Sequence, residues 1–302
     1  TSARALQMAA AEVAQGSAGC ALIVCADRMS NGPVVYYPDA SAPGGNGLTE
    51  KWTLDNFGHD PYARNAMIDT AENASARLGI GAAELNEVTL ARYAQYQSAL
   101  ADDRAFQRRY MVEAPLSDSG FRRQTGALAA DEGIFPTSAE GLAKLKPVKP
   151  NGTHTFGTQT HPADGNAGMI VTTRELAREL SADAKIEVEL LGFGQARVDK
   201  GFMPLAPVPA AQVALQQAGL SIKDVDAVKS HNPFAANDIA FARDTGFPLG
   251  KMNNYGCSLI WGHPQGPTGL RSIIELIEEL ALRGGGVGLF SGCAAGDSGM
   301  AA

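Results

Sequence analysis

The chain has 302 residues and 31.5 kDa, enough for two packed α/β layers or one elaborated unit and too long for a single small module. With 25 Lys and Arg against 32 Asp and Glu, the net charge of −7 excludes a surface built to track nucleic-acid phosphates, which leaves small molecules and proteins as partners. Hydrophobic residues make up 45%, yet no apolar run reaches the ~20 residues of a membrane span and no basic-then-apolar leader opens the chain, so a soluble, cytoplasmic protein is expected.

In chain order, the Ala-rich stretch 1–15 predicts a buried helix with a small-residue face, and the apolar run 21–26 a buried strand after it. Gly, Pro and Asn crowd 31–47 and break regular structure, marking the start of a different region. Within it, Leu85, Val88 and Ala91 recur at helical spacing and predict an amphipathic surface helix over 82–102, with a neighbouring helix over 72–78. Repeated Pro, Gly, Thr and Asn make 144–168 a loop with at most short strands, closing the inserted region. The α/β rhythm then resumes: strand 186–194, helix 209–218 with Pro in its first turn, strand 225–229, helix 234–245 stopped by Gly246, helix 269–283 stopped by three glycines, and a short buried strand 287–291. That alternation is an α/β layout.

Three short loops beside these strands carry polar or sulfur side chains between small neighbours: His231-Asn232-Pro233-Phe234-Ala235, Gly262-His263-Pro264 and Gly292-Cys293-Ala294-Ala295-Gly296. Small neighbours let the backbone approach a ligand, and His and Cys are the side chains best suited to base or nucleophile duty near neutral pH. Taken singly, each is as well explained by packing, since a Cys among Gly and Ala behaves as a small hydrophobe. Their clustering in the loops of one α/β layer, where such folds place ligands, is what points to chemistry. The four cysteines (Cys20, Cys25, Cys257, Cys293) form no CxxC pair and no disulfide framework, so reduced thiols and no metal site are expected. Gly286-Val287-Gly288 imitates a phosphate loop but precedes its strand and lacks the full spacing.

The stretch Asn253-Asn254-Tyr255-Gly256-Cys257-Ser258-Leu259-Ile260-Trp261-Gly262-His263-Pro264-Gln265-Gly266-Pro267-Thr268-Gly269 resembles the thiolase signature, in which a Gly-His-Pro loop precedes a Gly-rich helix start. Gly288-Leu289-Phe290-Ser291-Gly292-Cys293-Ala294-Ala295-Gly296 is similar to the closing Cys-x-Gly loop of that family, and His231-Asn232-Pro233-Phe234-Ala235 to its Asn-Glu-Ala-Phe loop. Pro207-Val208-Pro209-Ala210, Ala218-Gly219-Leu220 and Asp224-Val225-Asp226 resemble the approach to that loop, while Thr70-Ala71-Glu72-Asn73 and Asp164-Gly165 resemble the inserted region and its exit. The resemblance runs over essentially the whole chain. Two departures stand out: His231 occupies the position where most thiolases have Asn, and Ala295 replaces a Gly.

The resemblance implies a layered αβαβα fold of two related α/β halves with an inserted loop domain, divided here as 1–30 with 164–183, 31–163, and 184–302. It implies an acyltransferase that makes or cleaves a 3-oxoacyl-CoA through an acyl-cysteine. That cysteine is expected immediately ahead of Thr1, so the sequence reads as lacking the opening part of the first half and a last strand. Carried over by position, His263 activates the nucleophile, His231 holds a catalytic water, Cys293 exchanges the α-carbon proton with a lowered pKa, and the Ala295 N–H serves an oxyanion. Met67, Thr160, Met203 and Phe234 fall at substrate-binding positions. The implied partners are acyl-CoA and coenzyme A, with no further cofactor, in a homodimer or homotetramer. The His231-Asn232-Pro233-Phe234 variant also resembles thiolases acting on benzoylsuccinyl-CoA, which pair with a small zinc-containing subunit. Two other readings stay open, a non-catalytic acyl-CoA-binding or scaffold subunit and a hydrolase using Cys293 with His263.

Overall fold

The computed structural model describes residues 2–302 apart from the side chains of Trp52 and Thr53. Thr1, assigned above to the first helix, lies outside the described residues. Helix α1 (Ser2–Ala14) leads into strand β1 (Cys20–Arg28), which pairs antiparallel with β2 (Asp164–Thr172) from Cys20↔Thr172 to Arg28↔Asp164. The intervening segment carries helices α2 (Met67–Leu78) and α3 (Ala82–Ala99) and two small hairpins, Val34–Tyr37 with Leu48–Lys51 and Ala114–Ser117 with Gln124–Leu128. After β2 come β3 (Gly194–Arg197), α4 (Pro207–Ala218), β4 (Ala227–His231), α5 (Ala235–Thr245), α6 (Thr268–Arg283), β5 (Gly288–Ala294) and β6 (Ser298–Ala301). These strands form a second sheet in the order β3-β6-β5-β4, antiparallel except for the parallel β5/β4 pair.

Helices α1 and α6 lie between the two sheets, because one apolar cluster joins Ala3, Leu6 and Ala9 of α1 and Leu270, Ile273 and Leu276 of α6 to Ile23, Ala167, Ala227 and Phe290 of the strands. The small residues at the start of α1 have a specific use: a Cβ on Gly269 would come 3.0 Å from Ser2 Oγ, and that hydroxyl accepts the Leu270 N–H at 2.9 Å. Helices α4 and α5 cover the other face of the second sheet through Val208, Ala211, Val228, Phe241 and Leu289. The result is sheet, helix pair, sheet, helix pair. On its far side the first sheet leaves Leu22, Val24 and Ile170 exposed, so the apolar run 21–26 forms the expected strand but not a buried one, Ile23 alone of it being buried.

Several expectations needed correction. Strand 186–194 does not form: the chain is irregular to Phe193, and the strand is Gly194–Arg197. A Cβ on Gly194 would lie 1.9 Å from the Ala210 carbonyl, so the chain enters the sheet where it can press against α4, whereas alternating Ile186, Val188 and Leu190 have no neighbouring strand among the described residues and stay exposed. The loop assigned to 144–168 ends earlier, since β2 begins at Asp164. Helix α2 begins at Met67, five residues before the predicted start at Glu72, and strand β4 begins and ends two residues later than its predicted 225–229.

Helix α3 is no simple surface helix. It buries Leu85, Val88 and Tyr96 against Ile239 of α5 and the segment Leu259–Trp261, and it also buries Arg92. The Arg92 Nε donates to Asp238 at 2.7 Å, and its other nitrogens donate to the carbonyls of Met252 (2.9 Å) and Leu249 (3.1 Å). Both members of the pair are shut off from water, so removing one leaves an uncompensated buried charge. Asp238→Ala is expected to lower stability by ~3–5 kcal/mol, read as a shifted urea midpoint.

Candidate active site

Strand β4 ends at His231, which pairs with Gly292 on β5, and the neighbouring Cys293 therefore stands one residue along the same strand pair. A Cβ on Gly292 would meet the His231 Cβ at 2.8 Å and the Phe290 ring at 3.1 Å, so glycine is what lets these strands carry His231 and Cys293 side by side. The chain then turns through Asn232-Pro233 into α5, where Asn237 Oδ1 accepts the Phe234 N–H at 3.1 Å and Nδ2 donates to the Cys293 sulfur at 3.4 Å. The segment 158–163 laces the loops together. Thr160 N–H donates to the Pro233 carbonyl (2.7 Å), Ala235 N–H to the Thr158 carbonyl (3.0 Å) and His263 N–H to the His161 carbonyl (2.8 Å). Gly262 has φ +91°, and a Cβ there would sit 2.9 Å from His161 Nε2, so only glycine can bring His263 to this place.

These elements enclose a cavity of about 540 Å³ whose walls include His231, His263, Cys293, Ala295, Met67, Thr160, Met203 and Phe234, all of the site residues named from the sequence. The start of α1 reaches the same cavity through Ala3. Thr160 has a second duty, because its hydroxyl donates to the Ser258 carbonyl at 2.5 Å. Ala295 sits in the turn between β5 and β6, and the next N–H, of Gly296, donates to Asp60 at 2.9 Å. Sequence reading passed over Asn56, Gln159, His161 and Gln265, which also line the wall, and Asn237 and Ser258, which stand behind it. His161 carried a signal in being one of only five histidines, and Ser258 lay inside the quoted motif.

The two histidine rings stack at 4.2 Å between centroids with planes 26° apart. Burial holds His263 down to about 4, and burial together with its His263 neighbour holds His231 well below the usual imidazole range, so both rings are neutral at pH 7. The Nδ1 of His263 lies 2.7 Å from the Thr268 hydroxyl, which itself donates to the Pro264 carbonyl at 2.7 Å. With the hydroxyl proton committed to a carbonyl that can only accept, His263 donates from Nδ1 and keeps an unprotonated Nε2, the form a base needs. Cys293 departs from expectation. Its thiol is pushed up to about 12 by burial, opposed by the Asn237 amide, and rests protonated among Ala71, Met203 and Phe234.

The layered α/β fold thus brings two histidines and a cysteine to one cavity. A family model described as "Thiolase, N-terminal domain" matches residues 1–175 and one described as "Thiolase, C-terminal domain" matches residues 184–302; the chain belongs to the thiolase family. It is 34% identical over 230 residues to 3-ketoacyl-CoA thiolase B, peroxisomal, of Rattus norvegicus, covering 74% of this chain and 53% of that relative. It is 30% identical over 302 residues to an acetyl-CoA acetyltransferase of Chromobacterium violaceum, covering 99% and 75%. The crystal structure of human mitochondrial 3-ketoacyl-CoA thiolase superposes with a TM-score of 0.88 at 26% identity, over 99% of this chain and 75% of that one, and its complex with CoA with 0.87 at 27%, over 99% and 74%. The chain thus has the expected thiolase fold, and it spans about half the length of the peroxisomal relatives. No helix among the described residues is long and apolar enough to cross a membrane.

Between pH 7 and 5 the folded protein resists protonating His231 and His263 while the unfolded chain, near 6.5, takes up those protons, so the unfolded state binds more and stability falls as the pH falls. The melting temperature is expected to drop over this window, and a His231→Gln, His263→Gln double variant to flatten the dependence.

Proposed function

We propose that this protein is an acyl-CoA acyltransferase that makes or cleaves a 3-oxoacyl-CoA by Claisen chemistry through an acyl-cysteine. The observation that carries the reading is the convergence of a base-ready His263, a neutral His231 and the Cys293 thiol on one cavity. In the cleavage direction, the nucleophilic cysteine that the family likeness places ahead of α1 gives its proton to His263 Nε2 and attacks the 3-oxo carbon, with the Ala295 N–H facing the oxyanion. The C–C bond breaks, and the acetyl-CoA enolate takes the Cys293 proton at its α-carbon. CoA thiol then attacks the acyl-cysteine, giving its own proton to the Cys293 thiolate and restoring the resting thiol, while the expelled nucleophilic cysteine takes back the proton held on His263.

A resting pKa near 12 suits this order, because the thiol begins as an acid. In the condensation direction the departing CoA thiolate takes that proton first, so the base is made only when an acyl group has been loaded. Among the described residues the cavity wall carries no charged side chain, which favours an uncharged acyl group over the carboxylate-bearing aryl-succinyl one. Met67, Met203 and Phe234 offer the apolar wall for that group and the pantetheine arm. The proposal needs no cofactor beyond the CoA thioester.

Incubating the intact protein with a straight-chain 3-oxoacyl-CoA and CoA is expected to give the two shorter acyl-CoA products by chromatography. Cys293→Ala and His263→Ala should each lower turnover by ~10²–10⁴-fold. Release of free acid and CoA in place of the acyl-CoA pair would assign the cavity to hydrolysis.

A further inference from the structure

His231 is buried, ends strand β4 and stacks on His263, and its Nδ1 lies 2.8 Å from the Ser258 hydroxyl. The hydroxyl of Ser258, fully buried, has one proton and two places to put it. Its other acceptor, Asn232 Oδ1, is farther away at 3.2 Å and already receives the Leu259 N–H at 3.2 Å. The Ser258 oxygen itself accepts the Asn232 backbone N–H at 3.2 Å, so it is satisfied as an acceptor without help from the ring. This differs from Thr268 beside His263, whose hydroxyl proton goes to the Pro264 carbonyl at 2.7 Å.

The placement of Ser258 is itself enforced from behind. Asp238 is fully buried and its carboxylate can only accept. It takes Asn232 Nδ2 at 2.7 Å, Arg92 Nε at 2.7 Å and Asn253 Nδ2 at 3.0 Å on one oxygen, and the Ser230 hydroxyl at 2.6 Å on the other. The Asn232 amide is thereby oriented, its nitrogen to Asp238 and its oxygen to the Leu259 N–H, while its backbone N–H holds the Ser258 oxygen.

We infer that Ser258 is a positioning residue that fixes the tautomer of His231: its hydroxyl donates to Nδ1, so that the ring presents Nε2–H to the cavity as a hydrogen-bond donor. The two stacked rings then face the same cavity with opposite Nε2 atoms, a lone pair on His263 and a proton on His231. His231 Nε2–H donates to a water, and that water donates to the enolate oxygen that forms when the C–C bond breaks. The reverse tautomer would present a second lone pair to a developing negative charge. The role in turnover rests on the thiolase reading above, while the tautomer itself does not.

Long-range ¹⁵N–¹H NMR spectra of the intact protein labelled at histidine, with His231→Gln to assign the resonance, test the arrangement directly. The expected pattern is a protonated Nε2 and a bare, hydrogen-bonded Nδ1 for His231. A protonated Nδ1 on His231 overturns the inference whatever the variants do. In Ser258→Ala the Nδ1 resonance of His231 is expected to move, and kcat for 3-oxoacyl-CoA cleavage to fall about 10-fold with KM for the thioester unchanged. An unmoved resonance also overturns it. The correct tautomer in a protein that turns over no 3-oxoacyl-CoA would leave the positioning in place and remove the thiolase reading.

Discussion

The buried carboxylate of Asp238 is the constraint on which the rest of the site hangs. An ion removed from water has to be fully satisfied, and Asp238 is satisfied by four donors from three separate places: Arg92 on α3, Asn232 and Ser230 around the end of β4, and Asn253 ahead of the Gly-His-Pro loop. Any rearrangement of the inserted segment or of either histidine loop strands a charge. The pair is therefore less a source of stability than a device that admits one arrangement of three loops. A second buried pair, Lys229 with Glu275 at 2.8 Å, ties β4 to α6 in the same way, immediately beside the strand end that carries His231.

Burial also sets the chemistry. The same exclusion of water keeps both imidazoles neutral and the Cys293 thiol protonated, so the resting site carries no net charge on its three reactive side chains. In the proposed reaction, the thiolate or enolate that forms there meets oriented N–H groups in a medium that screens poorly. The stacked arrangement of His231 and His263 depends on this neutrality, since two imidazolium rings at 4.2 Å would repel.

Some of this was open to reading in one dimension. The Ala-rich first helix, the run of β1 and the glycine-stopped helices α5 and α6 follow from local propensity and capping, which act within a turn or two of chain. The motif residues His231, His263 and Cys293, and the wall residues Met67, Thr160, Met203, Phe234 and Ala295, could be named because their order along the chain resembles a family, and the structure brings all of them to one cavity.

What stayed hidden is what depends on surroundings. The alternation Ile186, Val188, Leu190 has the period of a strand, but a strand exists only beside another, and its partner cannot be seen from its own residues. Arg92 sits in a helix whose spacing reads as a surface one, and the partner that buries it, Asp238, is 146 residues away. The direction of the Cys293 shift was misjudged for the same reason: a pKa reports the water and charges around a thiol, and the apolar walls supplied by Ala71, Met203 and Phe234 come from elsewhere in the chain. The sequence by itself determined the reactive groups and the helices and strands that carry them. The tertiary structure alone decided their protonation and hydrogen-bonding partners, because both are set by groups far away in sequence and close in space.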